Sequence, residues 1–332
     1  MKEQRHYDTI DGLRTIACIG IIMMHVQANS AYQISGFIYE KVIPSFTNFV
    51  FLFMSVSAFG MCCGYYGKIL QGNVDFVDFY KKRFLKVLPF FSILVLLDFI
   101  VSPSKDALYE VFANITLLFG LLPDAGNISI IGVGWFLGIL FVFYLIFPFF
   151  CVLIGNKKRG WISFIISLIY NFLCVNYFYV GRKNILYCAC FFVLGGVIFL
   201  YKEAFIKVNR FILWGIVLFS IFFYYNGEET EIKYLIMSAS LLVFSISGGR
   251  HQLLANKITK FISGISLEIY LSHMMIFRIL EKIGFIHVLG NEKIQYGVTV
   301  IVVLLGSMLF AVIMQSVLEN VMRRFKGLNH IR

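Results

Sequence analysis

The chain has 332 residues, of which 59% are hydrophobic, 17% aromatic and 14% charged. A soluble globular domain has about a quarter of its residues charged, so this composition excludes a soluble protein and indicates a polytopic membrane protein. The net charge of +11 invites a nucleic-acid partner, but the basic residues lie mostly in short segments on one side of the apolar runs, which is typical of membrane topology and excludes nucleic acid as the partner.

Apolar runs of spanning length predict an all-α integral membrane bundle of about ten transmembrane helices. The predicted spans are residues 10–29, 47–66, 84–102, 131–154, 161–180, 185–201, 210–226, 231–247, 261–280 and 294–320. With the N- and C-termini in the cytoplasm, the inner segments contain 21 of the 29 Lys and Arg residues, and this bias sets the orientation. Residues 110–122 are too short to span and are interpreted as a re-entrant or interfacial helix on the outer side. We expect one membrane domain over residues 1–332.

The first span combines an arginine near its start with a histidine deep inside. Arg14 and His25 are eleven residues apart, so their side chains share one helix face and lie about 16.5 Å apart along the axis. An arginine at this position also suits lipid headgroups, and a lone histidine is often a packing residue. Because an ionisable group inside a span usually faces a cavity or a partner, the pair predicts a site entered from one side of the bilayer.

A basic cluster precedes the third span. It consists of Lys81, Lys82, Arg83 and Lys86, and the last two share a face if the segment is helical. A stop-transfer function alone explains these charges. The alternative is that some of them, together with Arg14, bind phosphates at the cytoplasmic mouth of a cavity.

Two further spans carry polar residues at a depth similar to that of His25. Asp98 in the third span could orient an imidazole, although its place near the outer end of the span also suits simple exposure. The ninth span contains Tyr270 and, one turn later, a second buried histidine, His273. The two histidines together favour a polar cavity.

Other polar positions are less informative by themselves. Ser57 lies near mid-membrane, where small residues permit close helix packing, and Trp135 lies at the outer boundary of the fourth span, like an interfacial belt residue. The seven cysteines lie in apolar runs without disulfide or zinc spacing. We interpret them as packing residues and expect no metal site.

Five stretches resemble, in the family's order, the acyltransferase family 3 membrane proteins, which are bacterial enzymes that O-acylate glycans and other hydroxylated acceptors. They are DGLRTIACIGIIMMH at 11–25, FLFMSVSAF at 51–59, KRFLKVLP at 82–89, WFLGILFVFYLIFP at 135–148 and ISLEIYLSH at 265–273. The chain departs from the family at Ala58, where many members have glycine, and at Leu140, where many have glutamate. The resemblance concerns the membrane domain alone, so we expect that domain to act on the acceptor itself.

The resemblance implies an acyl-CoA-dependent O-acyltransferase in the bacterial cytoplasmic membrane. Its donor would be an acyl-CoA, most often acetyl-CoA, used as a substrate and not held as a permanent cofactor, and its acceptor a hydroxyl of a cell-surface or lipid-linked glycan. Arg14, Arg83 and Lys86 would bind the nucleotide phosphates, and the pantetheine arm would run beside the first span.

Catalysis is then expected at His25, Asp98 and His273, and substrate contacts at Trp135, Tyr270 and Ser57. His25 would act as a general base toward the acceptor hydroxyl or would carry the acyl group as an acyl-imidazole. The sequence leaves both routes open.

Two other function classes fit the pattern. A transporter or exporter of a polysaccharide precursor or small molecule would also combine many spans with a few polar residues at mid-depth, although the chain shows no inverted repeat. A non-catalytic relative that acts as a sensor or membrane partner is the third hypothesis.

Overall fold

The structure is a computed structural model that describes residues 7–127, 131–247 and 254–328. Over these residues the chain is helical and contains no strand. The principal helices, numbered α1 to α12 in chain order, are Asp8–Asn29, Ile38–Leu70, Phe76–Val101, Lys105–Thr116, Trp135–Leu153, Lys157–Asn176, Ile185–Phe205, Arg210–Tyr225, Glu231–Ile246, Lys257–Gly264, Ser266–Lys282 and Glu292–Leu328.

The predicted all-α class is confirmed, whereas the count of about ten spans is not. Among the described residues, seven helices are long and apolar enough to cross a membrane, namely α1, α2, α3, α5, α6, α7 and α12 over Glu292–Val321. Helices α8, α9 and α11 lie where three more spans were predicted, but they contain only 16, 16 and 17 residues. At 1.5 Å per residue they rise about 24–26 Å, less than a hydrocarbon core of about 30 Å. The cytoplasmic location of the termini stays a prediction.

The predicted ninth span is divided in two. Helix α10 ends at Gly264 and α11 begins at Ser266, with Ile265 between them in a non-helical conformation. The short segment 110–122 contains the end of α4 and a 3₁₀ turn over Leu118–Leu121. The segment is therefore helical in two short pieces separated by the left-handed Leu117, and its re-entrant or interfacial position on the outer side stays a prediction.

Helix α1 is the centre of the bundle, because it packs against α2, α9, α10, α11 and α12. Its first turns are joined to α10 by polar contacts. Ser263 Oγ donates to the Asp11 carboxylate at 2.7 Å, and Thr15 Oγ1 donates to the Thr259 carbonyl at 3.0 Å. Gly12 allows this approach, since a Cβ there would collide with the Leu254 carbonyl. These contacts fix the direction in which the following turns of α1 present their side chains.

Helix α7 forms a second centre between α2 and α6. Ser55 Oγ donates to the Phe191 carbonyl at 2.8 Å, and a Cβ at Gly195 would collide with the Ser55 carbonyl. Small residues of this kind bring helices close together in a membrane. At the periphery, α8 exposes large apolar side chains such as Phe211 and Phe222, as expected of a surface that faces lipid.

Short connections make the helix ends alternate between two faces of the bundle. We call the face at which α1 begins the Arg14 end and the opposite face the His25 end. The connections 30–37, 177–184 and 226–230 lie at the His25 end. The cysteines are all free, and six of the seven are buried, Cys63 being partly exposed.

Candidate functional site

A cavity with an empty volume of about 660 Å³, its open mouth included, lies between α1, α2, α3, α5 and the α10–α11 segment. Arg14, Lys86 and Ser263 line it toward the Arg14 end, and Ser57, Tyr144 and Tyr270 line its deeper part. The sequence predicted that Arg14, Lys86, Ser57 and Tyr270 belong to one site, and all four line this cavity.

The positive charges at the mouth come from distant parts of the chain. Lys86 interacts electrostatically with Arg14, with Arg83 and with the Glu268 carboxylate. Arg14 in turn interacts with Asp11. Arg14 and Lys86, which line the cavity with buried carboxylates beside them, can hold a polyanion such as a phosphate.

Arg83 is held differently from the other two cations. Its guanidinium carbon lies 5.0, 5.5 and 5.7 Å from the ring centroids of Tyr65, Phe79 and Tyr144. Its Nε is buried and has no hydrogen-bond partner among the described residues. Arg83 therefore stacks beside the cavity and does not line it, and its predicted contact with a phosphate stays a prediction.

The deep part of the cavity carries hydroxyl groups. Ser57 Oγ lies 3.2 Å from the Tyr144 hydroxyl, and the Tyr270 hydroxyl donates to the Val133 carbonyl at 2.9 Å. Trp135 lies outside this cavity, buried at the start of α5, with its ring centroid 5.7 Å from the guanidinium carbon of Arg182. The predicted substrate contacts thus divide between the cavity and a neighbouring region around Arg182.

His25 and His273 are in direct contact. Their rings are nearly parallel, with centroids 4.9 Å apart and an interplanar angle of 9°. His25 Nδ1 lies 2.8 Å from His273 Nε2, and His273 Nδ1 lies 2.6 Å from the Tyr270 carbonyl oxygen. His273 is fully buried and His25 half-buried.

The hydrogen-bond partners assign the tautomers of this pair. A carbonyl oxygen only accepts, so His273 Nδ1 carries the proton and donates it to Tyr270. Nε2 of neutral His273 then has a lone pair and accepts from His25 Nδ1–H. His25 Nε2 is left with a lone pair of its own, which can take a proton or attack an electrophile.

The cavity lined by Arg14 extends inward to Tyr270, and the channel expected between Arg14 and His25 stays a prediction. Neither histidine is among the described residues that line the cavity. Tyr270 precedes His273 by three residues, a helix rise of about 4.5 Å.

Asp98 has a partner other than the expected imidazole. Its carboxylate lies 3.9 Å from the Arg278 guanidinium, and both side chains are partly exposed. In the described part of the chain, the imidazole of His25 contacts His273 instead. Asp98 and His25 were predicted to meet because they lie at similar depths in their spans. Depth does not determine the direction in which the third span presents its carboxylate.

Two groups of the cavity were missed as site residues. Glu268 is buried, lines the cavity and accepts from Gln315 Nε2 at 2.9 Å. Leu140, where many family members have glutamate, lines the same cavity. The cavity therefore contains a carboxylate, that of Glu268, although position 140 is apolar. The hydroxyl of Tyr144 is a hydrogen-bond partner of Ser57, and its ring packs against the guanidinium of Arg83. Both missed residues lie in stretches that carry the family resemblance, and only the contact between helices shows what they do.

Comparison with protein families gives one match. A model described as an acyltransferase domain, that of acyltransferase family 3, matches residues 7–315. This range covers nearly the whole chain and includes every candidate site residue. No curated protein and no solved structure matches the chain.

Proposed function

The chain belongs to acyltransferase family 3, whose model spans residues 7–315, and on the premise that it is a membrane acyltransferase we propose that it transfers an acetyl group from acetyl-CoA to a hydroxyl of a cell-surface or lipid-linked glycan. Family membership favours this activity over the transporter and the sensor. The observation that carries the proposal is the cavity that leads from Arg14 and Lys86 to Tyr270, one turn before a histidine pair with a free lone pair.

The donor binds with its phosphates at the Arg14 end. Arg14 and Lys86 supply charge-assisted hydrogen bonds to the phosphates. Arg83 lies beside the cavity and adds to its positive potential. The pantetheine arm extends past Ser57 toward Tyr270. The charge bias supports a cytoplasmic Arg14 end in a bacterial cytoplasmic membrane, where acetyl-CoA is available.

His25 is the general base of the proposed step. Its Nε2 takes the proton of the acceptor hydroxyl while the hydroxyl oxygen bonds to the carbonyl carbon of the thioester. The carbon–sulfur bond then breaks, and the CoA sulfur leaves with the proton that His25 returns. His273 is a positioning residue, because its Nε2 holds the proton of His25 on Nδ1. Holding both substrates at this point supplies part of the rate by proximity.

The same lone pair also suits the acyl-carrier route. In that route His25 Nε2 attacks the thioester and releases CoA before the acceptor binds. Label that becomes attached to the protein when [14C]acetyl-CoA is supplied without acceptor, and that is lost in His25→Ala, would favour the carrier over the base.

The test of the proposal is transfer by the purified protein. Protein in nanodiscs receives [14C]acetyl-CoA and an extract of cell-envelope glycans, and label in the glycan fraction is counted. We expect transfer by the wild type and by His287→Ala, the matched control at an exposed histidine outside the pair, and transfer by His25→Ala that is lower by about 10²–10⁴-fold. Undiminished transfer by His25→Ala would remove His25 from the mechanism, and absence of transfer by the wild type would overturn the proposed activity.

A further inference from the structure

A second cavity lies at the His25 end of the bundle, between α2, α7, α8 and α9. Its empty volume is about 440 Å³. We call it the carboxylate cavity, because Glu229 and Glu231 line it together with Asn48 and the three tyrosines Tyr187, Tyr224 and Tyr234. The mechanism proposed above uses none of these residues.

The carboxylates of this cavity are held in position by neutral hydroxyl groups. Tyr187 donates to Glu231 Oε1 at 3.1 Å, and Tyr224 donates to Glu229 Oε2 at 3.0 Å. Asn48 Nδ2 in turn donates to the Tyr224 hydroxyl at 3.0 Å. A carboxylate has about four acceptor positions, so each glutamate keeps acceptor capacity for a ligand.

A buried hydroxyl in the same cavity lacks a well-aligned partner. The side chain of Tyr234 is 2% exposed, and its hydroxyl makes no well-aligned hydrogen bond among the described residues, its polar neighbours being the Ser238 hydroxyl and the Leu52 backbone. Leaving a buried polar atom unpaired costs about 1–3 kcal/mol, so the hydroxyl is a position that a polar ligand would satisfy. This observation is independent of the two carboxylates.

Arg182 connects this cavity with Trp135. Its guanidinium donates to Asn48 Oδ1 at 3.4 Å and to the Thr47 carbonyl at 2.6 Å. The guanidinium carbon lies 4.8 Å from the ring centroid of Phe51, which lines the cavity, and 5.7 Å from that of Trp135. A fixed positive charge therefore stands at the edge of the cavity.

We propose that the carboxylate cavity binds a neutral sugar unit of the acceptor, which rests on the proposed function in taking that acceptor to be a glycan. A sugar hydroxyl both donates and accepts. It can donate to Glu229 or Glu231 and accept from Asn48 or the Tyr234 hydroxyl, while the aromatic side chains cover the apolar face of the ring. An ammonium ligand would be attracted by the two carboxylates but only donates, so it offers no acceptor to the Asn48 amide and the Tyr234 hydroxyl, and the guanidinium of Arg182 repels it.

Two variants of the cavity and one control test the proposal. Glu231→Gln keeps the shape and removes the charge, and Tyr234→Phe removes only the buried hydroxyl. Glu228→Gln is the matched control, since Glu228 is an exposed neighbour that does not line the cavity. The melting temperature of each variant in nanodiscs checks that it is folded.

The binding probe is the neutral oligosaccharide released from the producing cell's envelope by mild acid and labelled with tritium, measured by equilibrium dialysis without acetyl-CoA. We expect Glu231→Gln and Tyr234→Phe each to weaken its binding about ten-fold, the effect of losing one hydrogen bond to a charged or buried group. Glu228→Gln binds like the wild type. In transfer assays the half-saturating concentration of acceptor rises by the same factor, and that of acetyl-CoA does not change.

The outcomes separate this inference from the proposed function. Unchanged oligosaccharide binding in both folded variants, or no binding by the wild type, overturns the sugar site whatever the transfer assay gives. Binding of choline in place of the oligosaccharide, lost in Glu231→Gln, also overturns it in favour of a cationic ligand. Oligosaccharide binding that both variants weaken, without acetyl transfer by the wild type, supports the site and overturns the activity.

Discussion

The two ends of α1 present a guanidinium, Arg14, and an imidazole, His25, in surroundings of opposite kind. Arg14 lies among charged groups, with Asp11 and Lys86 interacting with it. His25 lies against a second imidazole, and the described partner of that imidazole is a backbone carbonyl. Charged surroundings suit the capture of an anion, whereas a chain of neutral hydrogen bonds fixes the direction of one lone pair. Binding and chemistry are therefore assigned to different ends of one helix, about 16.5 Å apart.

The largest effect is expected at the His25 end. His25→Ala removes the lone pair that takes the acceptor proton, so kcat falls by about 10²–10⁴-fold. The KM for acetyl-CoA changes by less than about two-fold, because the proposed donor contacts are mainly those of its phosphates at the Arg14 end. Steady-state transfer assays measure both constants. A raised KM with an unchanged kcat would contradict the division between the two ends.

The next effect concerns the partner of His25. His273→Phe keeps the buried ring but cannot accept from His25 Nδ1, so the tautomer is no longer fixed and kcat falls by about 10²-fold. His273→Gln restores an acceptor oxygen and recovers part of that loss. A merely structural role for His273 predicts equal loss in the two variants, with a lowered melting temperature.

At the Arg14 end the effect is on binding. Arg14→Ala removes a charge-assisted contact of about 1.5–3 kcal/mol, which raises the KM for acetyl-CoA about 10–100-fold with little change in kcat. Arg14→Lys keeps the charge without the forked geometry and gives an intermediate KM. Acetyl-pantetheine, which lacks the nucleotide phosphates, is used equally by the wild type and Arg14→Ala. If Arg14→Ala lost as much activity with acetyl-pantetheine as with acetyl-CoA, Arg14 would not bind the phosphates.

The smallest effect is expected at Asp98. Its ion pair with Arg278 at 3.9 Å is partly exposed, and such pairs contribute about 0–1 kcal/mol. Asp98→Asn therefore changes kcat and the KM for acetyl-CoA by less than about two-fold. A loss of kcat comparable to that of His273→Phe would show that Asp98 orients the histidines. The hydrogen bonds at the His25 end would then include a charged group.

Hydropathy was sufficient to locate the helices of this chain. Nine of the ten predicted spans each overlap one helix and the ninth overlaps two, because apolar runs of this length have no alternative to helical hydrogen bonding in a membrane. It could not give the break at Ile265 or the short lengths of α8 and α9, which depend on how these helices pack. An apolar composition extends smoothly across such a break, so periodicity shows no boundary there.

The candidate site was predictable along a helix but not between helices. The spacing of Arg14 and His25 follows from the geometry of α1 alone. The contact of His25 with His273 joins positions 248 residues apart, and the sequence gives only their depths. Asp98 has a similar predicted depth and a different partner. Whether His25 meets His273 or Asp98 depends on how each span is rotated about its own axis. In uniformly apolar helices there are too few polar residues to predict that rotation from the sequence.

The burial of the cysteines makes the orientation of the chain open to direct chemical mapping. Six thiols are shielded and only Cys63 is partly exposed, so replacing that one residue by alanine leaves a background that a membrane-impermeant maleimide does not label. Asn226→Cys, between α8 and α9, is then modified in intact cells if that connection faces outward. Lys158→Cys, in the first turn of α6, is modified only after the membrane is opened.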